Sequence, residues 1–345
     1  MRATARLFSQ VSKAASPRAH TTAFIGLGRM GSEMAYNLFS RTLVESDGNS
    51  HFVVCDAVVD AARAFSDNLT AQFPGANIQV VETPAEAAAL SSTIVTMLPS
   101  SPHVRQVYSE SYGIIPALLS LSPDGQRSTL CIDSTTLDVQ VAREIAAEVH
   151  KSGATMVDAP VSGGVAGAKA ATLSFLVGGT EDAFQRTSPI LAHMGKKIIH
   201  CGPSGAGLGA KICNNLILGV QQIVVAEAML LGQKLGLDPA VLAGVINSST
   251  GACWASSVNN PVPGALATSP PCTRDYEGGF ATSLMLKDMG LATEIADAYS
   301  TPLPMGEAAE NMYADVVTQV PELAKRDFSS VYRYLQLSAE RKQVA

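Results

Sequence analysis

One cation stands inside a long apolar stretch of the chain. The run Gly205-Ala206-Gly207-Leu208-Gly209-Ala210-Lys211-Ile212-Cys213-Asn214-Asn215 continues with Leu, Ile, Val and Ala to about Leu231, and after its glycines it reads as one long helix. Lys211 and Asn215 are four residues apart and so share a helix face. An ammonium held against apolar surface is poorly solvated, and its pKa falls from the ordinary lysine value towards neutrality. An amine in that state can take and return a proton near pH 7, which is general acid–base chemistry. The neighbouring amide can orient the reacting group. A lysine on such a helix can also carry its head out to water, so the motifs elsewhere decide between the two readings.

Those motifs lie upstream. Residues 22–25 form a short apolar strand that runs into Gly26-Leu27-Gly28-Arg29-Met30-Gly31, with a helical pattern to about Phe39. In this strand–turn–helix, Gly26 permits the tight turn, Gly28 lets backbone approach a pyrophosphate, and Gly31 lets helix and strand pack closely. The free N–H groups of the helix start would face phosphate. The strand 51–55 ends in Asp56, an acid placed to accept from the adenosine ribose hydroxyls and to repel a 2′-phosphate, which favours NAD over NADP. The polar residues 45–50 lengthen the usual spacing as a loop insertion.

Strands and helices then alternate: strands at 78–81, 92–98, 129–133, 155–161, 173–177 and 197–200, with helices at 84–89, 138–151 and 181–194. That rhythm predicts a parallel, doubly wound sheet, whose ligands bind at the carboxyl ends of its strands. Leu98-Pro99 and Ser134-Thr135-Thr136 fall at such ends and are candidates for holding the nicotinamide half. Ser162-Gly163-Gly164 follows another strand, and consecutive N–H groups beside a hydroxyl make a concavity for a carboxylate. After residue 203 the pattern is helical only, with segments at 207–231, 239–247, 284–292, 305–317 and 328–337 and a Pro/Asn/Ser-rich loop at 251–271. The expected fold is therefore α/β: a Rossmann-type, doubly wound, mostly parallel sheet over 21–203, then an all-α substrate and oligomerisation domain over 204–338, joined through the long helix.

Composition narrows the partners. The net charge is −6 and no Arg/Lys run follows the first twenty residues, so no nucleic acid is expected. The six Cys stand apart, with no CxxC or Cys/His ligand spacing, which indicates neither a metal site nor a disulfide framework. The segment 206–231 approaches the length of a membrane span, but Lys211, Asn214, Asn215, Gln221, Gln222 and Glu227 interrupt it, so no membrane is expected. Residues 1–20 carry Arg2, Arg6, Lys13 and Arg18 and no acid, without the apolar core of a secretory signal. They read as a transit peptide, mitochondrial rather than plastid, which implies a matrix protein.

Four motifs taken together resemble the β-hydroxyacid dehydrogenase family over about residues 22–337. They are Gly26-Leu27-Gly28-Arg29-Met30-Gly31, Asp158-Ala159-Pro160-Val161-Ser162-Gly163-Gly164, the glycines leading to Lys211 with Asn215, and Lys287-Asp288. The resemblance implies that Lys211 is catalytic and that Asn215, Ser162, Gly163 and Gly164 bind substrate. It also implies that the glycine turn with Asp56, Leu98, Pro99, Thr136 and Lys287 holds NAD. Where the family commonly has Asn, four residues after Pro99, this chain has His103, which can still donate a hydrogen bond to the cofactor. Cys253-Trp254, Asn260-Pro261-Val262-Pro263-Gly264 and Asp327-Phe328-Ser329-Ser330-Val331 resemble one branch of the family. That branch implies oxidation of a small hydroxy-carboxylate, (S)-3-hydroxyisobutyrate, to methylmalonate semialdehyde in valine breakdown, by a homodimer or homotetramer. Tartronate semialdehyde reductases and short-chain aldehyde reductases share the Lys, the Asn and the Ser-Gly-Gly loop, so a substrate panel is needed to separate them. A non-catalytic NAD-sensing protein would be expected to lack Lys211.

Overall fold

The computed structural model describes residues 18–344. Residues 1–17, most of the expected transit peptide, lie outside them. The chain divides into two compact units, with the break between Leu208 and Gly209.

The first unit runs β1 (Thr21–Ile25), α1 (Gly31–Glu45), β2 (His51–Cys55), α2 (Val59–Gln72), β3 (Asn77–Val80), α3 (Pro84–Leu90), β4 (Thr93–Thr96), α4 (Ser101–Ser109), α5 (Ile114–Leu119), α6 (Pro123–Ser128), β5 (Leu130–Asp133), α7 (Val139–Lys151), β6 (Thr155–Asp158), β7 (Val161–Ser162), α8 (Gly164–Lys169), β8 (Leu173–Gly178), α9 (Glu181–Ala192) and β9 (Gly195–Gly202). The strands form one nine-stranded sheet in the order β3-β2-β1-β4-β5-β6-β8-β7, with β9 on β8. From β3 to β6 every pairing is parallel. Strands covered on both faces must be apolar almost throughout, and Phe52-Val53-Val54, Ile94-Val95 and Leu130-Cys131-Ile132 are all buried. The order reverses between β1 and β4, where ligands of such sheets bind.

The expected strand 155–161 is interrupted at Ala159-Pro160, because Pro160 has no N–H for a ladder. Its line is kept all the same. Asp158 opposes Gly178, Val161 opposes Phe175 and Ser162 opposes Ser174 on antiparallel β8, and Leu176 N–H donates to the Pro160 carbonyl at 3.0 Å. Ser162 therefore extends the β6 line beyond its carboxyl end. Asp158 accepts from Gly205 N–H at 2.6 Å and Leu208 N–H at 3.0 Å, which ties the first turn of the next helix to this unit.

Arg18–His20 form a 3-10 turn. The Arg18 guanidinium donates to the carbonyls of Gly125 (3.1 Å) and Ala88 (3.0 Å) and to Thr129 Oγ1 (2.8 Å). Arg18→Ala leaves these acceptors without their charged donor. Hydrogen bonds to charged groups contribute more than neutral ones, so the expected loss is about 2 kcal/mol, or roughly 4–8 °C in Tm by calorimetry. A variant melting with the wild type would show that Arg18 is dispensable to the fold.

The second unit holds most of α10 (Ala206–Lys234), then α11 (Pro239–Asn247), α12 (Trp254–Ser257), α13 (Thr282–Ala298), α14 (Pro304–Gln319) and α15 (Val331–Val344). Among the described residues it has no strand, only an isolated bridge between Ala281 and Asp327. Its core packs Ile223, Ala226 and Met229 of α10 with Met285 and Met289 of α13 and Tyr313 and Val316 of α14. Gly219 allows the close approach of α10 and α13, since a Cβ there would lie 2.6 Å from Met289 Sδ. By length and hydropathy α10 would suit a membrane span, but its Lys211, Asn215 and Gln222 are buried within the protein.

Candidate active site

At the carboxyl edge of the first unit's sheet, each glycine of the first turn meets a different constraint. Gly26 sits at φ +94°, and a Cβ on it would lie 2.3 Å from the Met97 carbonyl oxygen. A Cβ on Gly31 would lie 1.9 Å from the Gly26 carbonyl oxygen. A Cβ on Gly28 would meet nothing within 4 Å. The outer two glycines are thus required by the protein's own packing. Gly28 leaves clear space above exposed backbone, as a dinucleotide pyrophosphate needs. Leu27 is buried, Met30 packs on the sheet core, and Arg29 is exposed beside Gly28.

Asp56 follows β2 on the same edge. Its Oδ2 accepts from Leu27 N–H at 2.6 Å and its Oδ1 from Val58 N–H at 2.8 Å. Both oxygens are fixed and each keeps a lone pair, so the carboxylate can still accept from ribose hydroxyls. Leu98, after β4, donates its N–H to Thr135 Oγ1 at 2.9 Å, and Pro99 is exposed next to it. Thr136 is half-buried after β5. His103, in the first turn of α4, is exposed, with Nδ1 2.9 Å from Ser100 Oγ. Ser162 extends this edge, with Gly163 at φ +136° and open space above Gly164. These residues fit a dinucleotide: a clear glycine turn at a helix start, an acid at the ribose end, and a polar edge on the neighbouring strands.

In the second unit, Lys211 and Asn215 occupy successive turns of α10 and both are buried. Asn215 Nδ2 donates to Asp288 Oδ2 at 2.6 Å, and its Oδ1 accepts from Asn214 Nδ2 at 3.1 Å. Both ends of the amide are held, which fixes its orientation and leaves one of its two N–H donors for another partner. Lys287 Nζ lies 3.5 Å from Asp288 Oδ1, an ion pair rather than a hydrogen bond. Burial pulls the Lys211 ammonium below the ordinary lysine range; Asp288 opposes that shift and Lys287 adds to it. The lowered pKa read from the sequence is thus a property of the folded chain, and desolvation is its main cause.

Asp288 appears in the sequence reading as half of the Lys287-Asp288 motif, without a role of its own. It stands inside an apolar helical face, a signal that was visible, but its partner Asn215 lies 73 residues away. Among the described residues no group of His, Cys, Asp and Glu could hold a metal ion.

Residues 21–202 match the NAD binding domain of 6-phosphogluconate dehydrogenase, and residues 205–335 match the NAD-binding domain of NADP-dependent 3-hydroxyisobutyrate dehydrogenase. The chain is 41% identical over 329 residues to a probable mitochondrial 3-hydroxyisobutyrate dehydrogenase of Dictyostelium discoideum, covering 95% of each chain. It is 41% identical over 312 residues to the human mitochondrial enzyme of that name, covering 90% of this chain and 85% of the other. The Mycobacterium tuberculosis 3-hydroxyisobutyrate dehydrogenase, solved with L-serine, superposes with a TM-score of 0.80 at 40% identity, covering 92% of this chain and 99% of that one. At 41% identity over nine-tenths or more of its length, the chain belongs to the 3-hydroxyisobutyrate dehydrogenase family of NAD-binding oxidoreductases.

Proposed function

We propose that the protein oxidises the primary alcohol of (S)-3-hydroxyisobutyrate to methylmalonate semialdehyde with NAD, in valine breakdown in the mitochondrial matrix. The observation that carries the chemistry is the burial of Lys211 with its pKa pulled down, beside an amide locked by Asp288. NAD, when bound, supplies the acceptor for the hydride that leaves the carbinol carbon. Lys211 Nζ takes the hydroxyl proton as the carbonyl forms and returns it to solvent afterwards. The remaining N–H of Asn215 orients the alcohol. Ser162 Oγ and the N–H groups of Gly163 and Gly164 hold the substrate carboxylate. Gly26, Leu27, Gly28, Arg29, Met30 and Gly31 hold the pyrophosphate, Asp56 the ribose, and Leu98, Pro99, His103, Thr136 and Lys287 the nicotinamide half.

The mitochondrial names of the Dictyostelium and human relatives and the basic, acid-free residues 1–20 support the compartment. Assembly as a homodimer or homotetramer is part of the same reading. Support comes from exposed apolar side chains spaced by sevens along α10, namely Ile217, Val224 and Leu231.

A substrate panel tests the proposal. The expected order of kcat/KM places (S)-3-hydroxyisobutyrate first. NAD should be preferred to NADP by at least about 10-fold, because an Asp56 carboxylate at the ribose would repel a 2′-phosphate. A preference for NADP with reduction of tartronate semialdehyde or short aldehydes would replace this assignment with the reductase reading.

A further inference from the structure

Asp133 ends β5 at the same sheet edge, fully buried, and no step above uses it. Its Oδ1 accepts from Thr96 Oγ1 at 2.8 Å and from Thr135 N–H at 3.2 Å. Thr96 has one hydroxyl proton and gives it to Asp133, so across their 3.2 Å contact Tyr108 must donate to Thr96. The Thr135 hydroxyl oxygen in turn accepts the Leu98 N–H at 2.9 Å. Asp133 thus holds the Thr135 backbone, and the Thr135 side chain holds the Leu98 backbone. Asp133 Oδ2 and the neighbouring Ser134 Oγ are buried without a hydrogen-bond partner. A carboxylate with one oxygen unsatisfied is costly to bury, so the network stands at the expense of fold stability.

We propose that Asp133 is a positioning residue for the dinucleotide: its ionised form holds the Thr135 N–H, and the Thr135 hydroxyl holds the Leu98 backbone, in the arrangement that receives the nicotinamide half. This rests on the reading that Leu98, Pro99 and Thr136 hold that half. Protonation removes the charge to which the Thr135 N–H and the Thr96 hydroxyl donate, weakens both bonds and loosens the segment that holds Leu98. Burial pushes Asp133 up to about 6; hydrogen bonds from Thr135 and Thr96 oppose the shift and the Asp158 charge adds to it. The ionisable groups that face Asp133 are Tyr108 from α4, Cys131 from its own strand and Asp158 from β6, while Arg18 acts on Cys131. Burial keeps Tyr108 and Cys131 uncharged near neutral pH. Cofactor affinity therefore falls as pH drops through about 6.

Titration of the protein with NADH, followed by fluorescence between about pH 5 and pH 8, tests this without any turnover. Wild-type Kd is expected to rise about 5–10-fold towards the acid end. Asp133→Asn is expected to bind about 5–10-fold more weakly at pH 8 and to lose the pH dependence. Thr135→Val, which removes the linking hydroxyl, should match that loss, and Thr135→Ser, which keeps it, should behave as wild type. Should Asp133→Asn fail to fold, the Thr135 pair decides alone. Wild-type affinity and slope in Asp133→Asn or Thr135→Val would overturn the proposal, as would a slope that disappears in His103→Gln but persists in Asp133→Asn. Absence of NADH binding by the wild type at every pH would instead defeat the underlying cofactor reading.

Discussion

Lys211→Met is expected to lower kcat by about 10³-fold or more, the scale of a lost general base, while NADH binds within a few-fold of wild type. Methionine keeps the length and apolar contact of the lysine stem and removes only the amine. Lys211→Arg should fare no better, because a guanidinium does not deprotonate in proteins and so cannot accept the alcohol proton. Stability should move the other way. The Lys211 pKa is lower in the folded chain than in an unfolded one, chiefly through burial. Between the two values the unfolded chain binds more protons, so this group makes stability climb as pH rises from the folded pKa to the ordinary lysine pKa. Below the folded pKa the penalty of burying the ammonium is complete. Lys211→Met removes that penalty, and its Tm at neutral pH should equal or exceed that of wild type. A variant that loses activity and also melts much earlier would mark Lys211 as a structural cation instead.

The second large effect separates two glycines three residues apart. Gly28→Val should keep the wild-type Tm, because a Cβ at Gly28 meets nothing within 4 Å. It should weaken NADH binding by about 100-fold, since the new side chain fills the space that a pyrophosphate needs. Gly31→Ala should do the opposite in kind. Its Cβ would lie 1.9 Å from the Gly26 carbonyl oxygen, a backbone atom that cannot rotate aside. Helix α1 must then shift off β1, at a cost of about 3 kcal/mol or more, visible as a depressed Tm whether or not NADH is added. Calorimetry and fluorescence titration on both variants check the pair. Normal NADH affinity in Gly28→Val would remove the cofactor from this turn.

Much of this site was legible in the sequence because its signals are local. The glycine turn, Asp56 after a strand, Ser162-Gly163-Gly164 and the Lys211/Asn215 pair each lie within a few residues of one another, and strand and helix periods fix which face they share. What stayed hidden depends on contacts between residues far apart in sequence. Asp288 matters through Asn215, Asp133 through Thr96, and Arg18 through Ala88 and Gly125, separations of 73, 37, 70 and 107 residues. Composition could not reveal those pairings. The short helices α4, α5 and α6 were missed for another reason. They span nine, six and six residues, each with a proline in or near the first turn, too short for a helical period to emerge. Their Ser-Pro starts at Ser101-Pro102 and Ser122-Pro123 were the available sign. The packing of Arg18–His20 onto the first unit was invisible for the opposite reason, because the basic composition of residues 1–20 dominates any reading of them.

The state of one amine decides the mechanism, and it can be observed directly. Protein carrying ¹³Cε-labelled lysine is titrated by NMR, with the Lys211 signal assigned by its absence in Lys211→Met. A Lys211 midpoint clearly below the ordinary lysine value of about 10.4, shifting when NADH and substrate analogue are added, is the expected result. A midpoint at the ordinary value, indistinguishable from surface lysines and indifferent to ligand, would contradict a catalytic base at Lys211.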